Sequence, residues 1–376
     1  MIARLVGFDT VSRHSNMALI DWVRDHLAGH GIESRLVPNA DGSKANLFAT
    51  IGPMVEGGVV LSAHTDVVPV DGQPWDTDPF TVVERDGRLY GRGTADMKSF
   101  PAVALAMLPE MLAAGLKRPL HLALSYDEEI GCIGAPSMIE RIVAELPRPS
   151  AVIVGEPTSM RVVLAHKGCY VLRTTVTGHE VHSSQIDRGV SAVMTAARLV
   201  NVIADMAADN AAKADPACLF DPPYTTLHVG TIQGGTATNI TARHCEFSWD
   251  IRPIAGDDWT TFRDRFEAEC DRLRAEIRRV APTADIRTTL VAGAPGLAPV
   301  ANNPAAQLCH ALTGRNDTAV VSYGAEAGQF QEAGLSTVMC GPGSIDQAHQ
   351  PNEFIEISQV TECERFMGAL IRRLAS

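Results

Sequence analysis

Hydrophobic positions along the chain fall into two successive rhythms. From the start to about Pro157, short apolar runs alternate with segments of helical period. Residues 16–30 place Ile20, Val23 and Leu27 on one face, with Gly31 after the end, and predict an amphipathic helix. Runs near 47–51, 59–63, 120–125 and 151–154 are apolar almost throughout, as strands buried on both faces are. Residues 101–114 supply a helix between two of them. Strands alternating with helices predict an α/β fold, with a mixed, mostly parallel sheet sandwiched by helices.

The second rhythm begins near Gly168. It predicts a strand at 170–176, a helix at 189–205, strands at 225–232 and 245–251, a helix at 259–280 and a strand at 285–291. That βαββαβ order is the ferredoxin-like pattern, with two helices on one face of a four-stranded antiparallel sheet. Residues 207–223 collect small, charged and proline residues and predict an irregular connection. After Pro295 the first pattern resumes, with a helix at 304–312, a strand at 336–340 and a last helix at 358–374. The expected organisation is one domain over 1–168 and 293–376, interrupted by an inserted domain over 169–292.

Length agrees with this division, because 376 residues exceed one comfortable core. A net charge of −12 weighs against a nucleic-acid partner, which wants a basic face. The longest apolar stretches fall short of the roughly 20 residues of a membrane helix, and the first residues lack a secretory signal pattern. Eight scattered cysteines without a CxxC pair suit buried thiols in a reducing cytoplasm.

The chemistry gathers at the ends of the apolar runs. His64 and Asp66 stand two apart in VVLSAHTDVVP, so in extended backbone their side chains share a face. Asp96 follows in GRGTADMK, Glu128 and Glu129 in SYDEEIG, Glu156 in VIVGEPTS and His349 in QAHQPNE. Two histidines and three carboxylates can hold two divalent ions if one carboxylate bridges. An HxD pair alone is a weak signal, single loop acids are usually solvated, and GRG lacks the setting of a dinucleotide loop. The signal gains strength because all the parts occur in order past strand ends, where open α/β sheets put their chemistry. Asp66 is suited to hold the second ring nitrogen of His64. Neighbouring side chains diverge, so one of Glu128 and Glu129 is expected to bind metal and the other to carry protons. Mixed histidine and carboxylate ligands suit zinc, with cobalt or manganese as substitutes.

Together SAHTDVVP, GRGTADMK, DEEIG, GEPT, the HSS at His182 and AHQPNE resemble one family. It is the two-zinc metallopeptidase family that includes acetylornithine deacetylases, succinyl-diaminopimelate desuccinylases, aminoacylases and glutamate-releasing carboxypeptidases. The resemblance runs from near Leu5 to the last helix. GGTATN, VSYGAEAGQFQEAG and CGPGSIDQAHQPNE resemble the acetylornithine deacetylase branch. The resemblance implies a zinc-peptidase-like catalytic domain with two Zn2+ per chain. His64 and Glu156 would bind one ion, Glu129 and His349 the other, and Asp96 would bridge them. Glu128 would be the general base and Asp66 would steady His64. The inserted domain would form a homodimer and act as a lid, with His182 as an oxyanion donor able to reach the partner's site. In isolation His182 reads as a surface residue, as His179 does. Asn239 and Arg252 resemble substrate-side groups, although Arg252 equally fits a structural ion pair at a strand end. Glu326 is expected to read a substrate ammonium by charge.

The implied reaction is hydrolysis of N2-acetyl-L-ornithine to ornithine and acetate, in arginine biosynthesis. Another N-acyl amino acid, such as N-succinyl-diaminopimelate, or a dipeptide would suit the same chemistry. A non-catalytic relative should have lost ligands or the base, and none is lost here. Three positions depart from the family pattern. Ala325 replaces a threonine, Ile186 a usual proline and Ser191 a common asparagine. None is a ligand or the base. The hydroxyl missing at Ala325 bears on substrate choice, because a site built around a hydroxyl rejects analogues sharply.

Overall fold

A computed structural model describes all 376 residues. The apolar runs form the centre of an eight-stranded sheet. In spatial order its strands are Ser34–Pro38, Ala45–Ile51, Leu120–Ser125, Val59–His64, Ala151–Pro157, Thr337–Gly341, Val162–His166 and Thr318–Val321. The four from Leu120–Ser125 to Thr337–Gly341 run parallel, and antiparallel strands flank them. Every position of these four is buried, which is why each reads as a nearly unbroken apolar run. The sheet is thus mixed and mostly parallel at its centre, as the alternation of strands and helices implied.

Alternate residues serve opposite layers. Val59, Leu61 and Ala63, with Leu120, Leu122 and Leu124, join one core. The helices Met17–Gly29, Ser99–Ala106, Pro304–Thr313 and Ile357–Ala375 complete that core. Ser62, His64 and Ser125 therefore point to the other face. Three short strands, Val83–Arg85, Arg88–Tyr90 and Phe354–Glu356, form a separate small sheet. It ties the segment before Asp96 to the segment after His349.

Contacts divide the chain into two units: Met1–His166 with Leu297–Val320 and Ala325–Ser376, and Lys167–Gly296 with Val321–Gly324. In the second unit, strands Thr226–Gly234, His244–Arg252, Cys169–Thr177 and Asp285–Ala294 make an antiparallel sheet in that order. One face carries Leu172, Val176, Phe247, Trp249 and Ile251 against the helices Ala192–Ala212 and Trp259–Arg278. Trp249 is fully buried, and its indole N–H donates to Thr174 at 3.1 Å, so the ring brings no unpaired donor inside.

Some details differ from the sequence reading. The helix expected over 101–114 is two, Ser99–Ala106 and Leu108–Ala113. Pro109 has no N–H to give to Leu105, so the helix cannot continue through it. Residues 207–212, expected to be irregular, extend the preceding helix, because this alanine-rich stretch favours helix. Ser34–Pro38, Val162–His166 and Thr318–Val321 are short strands outside the parallel centre and lack a clear period. No helix is long and apolar enough to cross a membrane.

Gly155 lies beside Glu156, and a β-carbon there would overlap the ring of Phe100. Gly155→Ala is expected to cost about 3 kcal/mol by overpacking. A urea midpoint equal to that of the wild type would show that the ring yields freely.

Candidate metal centre

The parallel strands deliver their polar residues to one edge. His64 ends its strand, Glu156 stands near the end of the next, and Glu128 and Glu129 follow Leu120–Ser125. His349 lies in the loop after Thr337–Gly341, and Asp96 in the loop before Ser99–Ala106. Two groups of potential ligand atoms result: His64, Asp96 and Glu156, and Asp96, Glu129 and His349, with all atoms in each group within 4.8 Å of one another. Asp96 belongs to both. Its two oxygens point apart, Oδ1 to His64 Nε2 at 3.0 Å and Oδ2 to His349 Nε2 at 3.2 Å. His349 Nε2 also lies 3.0 Å from Glu129 Oε2, and His64 Nε2 lies 3.9 Å from Glu156 Oε1.

These spacings fit divalent ions. Bonds of about 2.0 Å around a tetrahedral zinc place neighbouring ligand atoms about 3.3 Å apart. Glu129 Oε1 and Glu156 Oε1 are also buried without any hydrogen-bond partner, which is costly unless a cation completes them.

Electrostatics point the same way. Burial pushes Glu128 up to about 8 and Glu129 up to about 7, with neighbouring carboxylates adding to the rise. Glu156 is raised for the same reasons. Burial works against a charged His64, but the bond to Asp96 and the nearby acids outweigh it and raise its pKa. Hydrogen bonds to Asp96 and Glu129 lift His349 to about 10. Burial disfavours a charged Asp96, yet its two histidine partners bring its pKa below the usual range. Without metal the cluster holds extra protons, and an ion must displace them.

Supporting bonds set the orientations. His64 Nδ1–H donates to the main-chain carbonyl of Asp66 at 2.9 Å, leaving Nε2 for a ligand. The Asp66 carboxylate stands farther from that ring, at 3.7 Å. Its oxygens instead accept from Ser12 Oγ and from the amides of Glu128 and Glu129. Asp66 thus steadies His64 through its backbone and the acidic loop through its side chain.

The sequence reading missed Glu353, although it lies in the quoted AHQPNE motif. This buried carboxylate accepts from the amides of Gly93, Ala95 and Asp96 and from Arg92 at 2.7 Å. It therefore clamps the loop that carries Asp96. Gln73 accepts from Arg92 and donates to the His349 carbonyl, holding a residue at φ 63. Lys98 is buried too, with its ammonium on the Phe8 carbonyl, and burial brings it down to about 7. Arg92, beside Asp96 in GRGTADMK, was the one available hint of a buried ion pair.

Glu326 needs a correction. It is fully buried, and its two oxygens accept from Ser62 and Ser125 at 2.6 Å each, so it offers no free carboxylate to a substrate ammonium. Ala325 is equally buried, so its missing hydroxyl is lost from packed interior. In the second unit, His182 and Asn239 lie together. His182 forms a bridge with Ile240, and the Ser183 amide donates to the Asn239 carbonyl. Both side chains are exposed. His182 Nδ1 also meets Ser184 Oγ at 2.8 Å. Arg252 Nε lies 3.7 Å from Asp250 and is partly exposed.

Residues 60–373 match the model of the peptidase family M20/M25/M40. The chain belongs to this family. It is similar to an acetylornithine deacetylase of Myxococcus xanthus, with 34% identity over 98% of this chain and 95% of the relative. Among solved structures, it superposes on an M20 family metallo-carboxypeptidase, Sso-CP2, from Sulfolobus solfataricus with a TM-score of 0.78. Identity there is 16%, over 100% of this chain and 98% of that one. The Bacillus subtilis YXEP protein, a dinuclear metal-binding peptidase, gives a TM-score of 0.61 at 15% identity, over 99% and 96%. The chain is thus an M20 metallo-hydrolase, and the paired ligand groups are where its metal chemistry would reside.

Glu353→Ala should weaken zinc binding at least about tenfold, as loss of a residue that orients ligands does. Zinc titration of metal-free protein measures this. In the wild type, affinity should rise from pH 6 to 8, because metal binding displaces the protons that the raised acids and histidines hold over that range. A flat pH profile would contradict proton displacement.

Proposed function

We propose that this chain is a two-zinc amide hydrolase that releases acetate and L-ornithine from N2-acetyl-L-ornithine. The observation that carries the reaction type is the Asp96 carboxylate shared by two histidine–carboxylate groups, with Glu128 alongside and outside both. The substrate reading rests on the motifs of the acetylornithine deacetylase branch and on the Myxococcus xanthus relative.

We assign His64 and Glu156 to one ion, Glu129 and His349 to the other, and Asp96 to both. The ions would supply Lewis acidity, lowering the pKa of a water and polarising the amide carbonyl. Glu128 takes the proton released as water adds to the carbonyl and returns it to the departing nitrogen as the C–N bond breaks. Its position supports this role. Its amide is fixed on Asp66, and its carboxyl accepts from Cys132 Sγ at 3.3 Å, so the side chain is held without being a ligand.

His182 is assigned as the oxyanion donor, and Asn239 and Arg252 as substrate-side groups. A homodimer through the inserted domain, a cytoplasmic location and a place in arginine biosynthesis complete the proposal. The free state of all eight cysteines suits a reducing compartment.

With zinc bound, kcat/KM for N2-acetyl-L-ornithine should exceed about 10⁴ M⁻¹s⁻¹. Near-background turnover beside rapid cleavage of another N-acyl amino acid or a dipeptide would replace the substrate and keep the chemistry. Glu128→Gln should retain zinc and lose about a thousandfold in kcat, and near wild-type turnover would remove Glu128 as the base. Mixing His182→Ala with Glu128→Gln chains should restore part of the activity in heterodimers. Confirmed heterodimers without recovery would refute the cross-chain role of His182.

A further inference from the structure

Ser62 and Ser125 are hydroxyl-bearing residues in buried, mostly apolar strands, and both donate to Glu326. Each donates to a different oxygen of Glu326 at 2.6 Å. All three are buried, and such an arrangement leaves none of these polar groups unpaired. Ser62 lies two residues before His64, and Ser125 lies three before Glu128. The strand register pairs Ser125 with His64, so Glu326 spans the ends of two neighbouring parallel strands just below the ligands. Three residues on, Gln329 Nε2 donates to the Cys132 carbonyl at 2.9 Å. That bond anchors the far side of the loop carrying Glu128 and Glu129, and the Asp66 carboxylate anchors the near side.

We propose that Glu326 and Gln329 form a brace that positions the ends of two strands and the acidic loop so that ligands and base arrive at fixed spacing. The brace rests on the metal-hydrolase reading but not on the identity of the substrate. GAEAGQF is therefore a positioning segment and does not read the substrate. The chemistry of the pair separates the two roles. A glutamine at 326 keeps an oxygen for one serine and an N–H for the other, whose hydroxyl can accept, so the bonds survive without the charge. An alanine leaves both hydroxyls buried and unpaired.

The test compares Glu326→Gln, Glu326→Ala and Gln329→Ala. The readouts are zinc affinity by chelator competition, hydrogen exchange of amides 126–133, and kcat and KM on whichever N-acyl amino acid the wild type cleaves best. Glu326→Gln should stay within about threefold of wild type in zinc affinity and KM. Glu326→Ala should lose at least about tenfold in zinc affinity and in kcat, with KM nearly unchanged. Gln329→Ala should speed exchange in the acidic loop about tenfold and lower kcat. A tenfold rise in KM for Glu326→Gln with kcat retained would overturn the brace and restore an ammonium-reading role. Wild-type zinc affinity and exchange in both alanine variants would also overturn it. If Glu326→Ala does not fold, Ser62→Ala and Ser125→Ala each remove one bond and should give smaller losses of the same kind. Wild-type protein that binds zinc but cleaves neither an N-acyl amino acid nor a dipeptide would sink the proposed function, while affinity and exchange would still decide the brace.

Discussion

Mutual repulsion of buried carboxylates is the constraint on which this structure turns. Asp66, Asp96, Glu156, Glu326 and Glu353 are buried, with Glu128 and Glu129 beside them. Arg92 and Lys98 are buried cations in the same region, and burial weakens the charge of Lys98. Crowded anions in low dielectric either take up protons or gather cations. The two histidines supply part of that answer, and the unpaired oxygens of Glu129 and Glu156 show where the rest is needed.

The fold concentrates these charges by economical means. Four parallel strands end at one edge, so one loop after each is enough to bring distant segments together. A few side chains then convert nearness into orientation. Glu353 gathers the amides around Asp96, Asp66 gathers those of Glu128 and Glu129, and Gln73 reaches the His349 carbonyl. Each of these holds backbone more than side chain, because a backbone fixed by several bonds sets the direction of the residue it carries. Glu326 works one layer lower, through two serines in the buried strands. A carboxylate that charge alone would send toward a substrate instead pays for its burial by satisfying two serines.

Much of this was legible in the chain. The parallel centre showed as nearly unbroken apolar runs because burial on both faces leaves no polar alternation, and the candidate ligands His64, Glu129 and Glu156 stood out because they end or closely follow those runs. Antiparallel strands such as Ser34–Pro38 stayed hidden, since short, partly exposed segments carry little period. The break at Met107 was available in Pro109 but was masked by a continuous helical pattern around it. Glu353 and Glu326 both lay inside motifs that had been noticed, yet a charged residue in a loop reads as solvated or substrate-facing until its burial is known.

The sequence by itself determined the alternation of strands and helices, the inserted unit's pattern and the residue types able to hold divalent ions, because these follow from local period and side-chain chemistry. Tertiary structure decided which acids face the ligand groups and which brace them. Asp66, Glu326 and Glu353 carry the same kind of carboxylate as the candidate ligands Asp96, Glu129 and Glu156. Only the donors that long-range packing puts beside each one separate a metal ligand from a clamp.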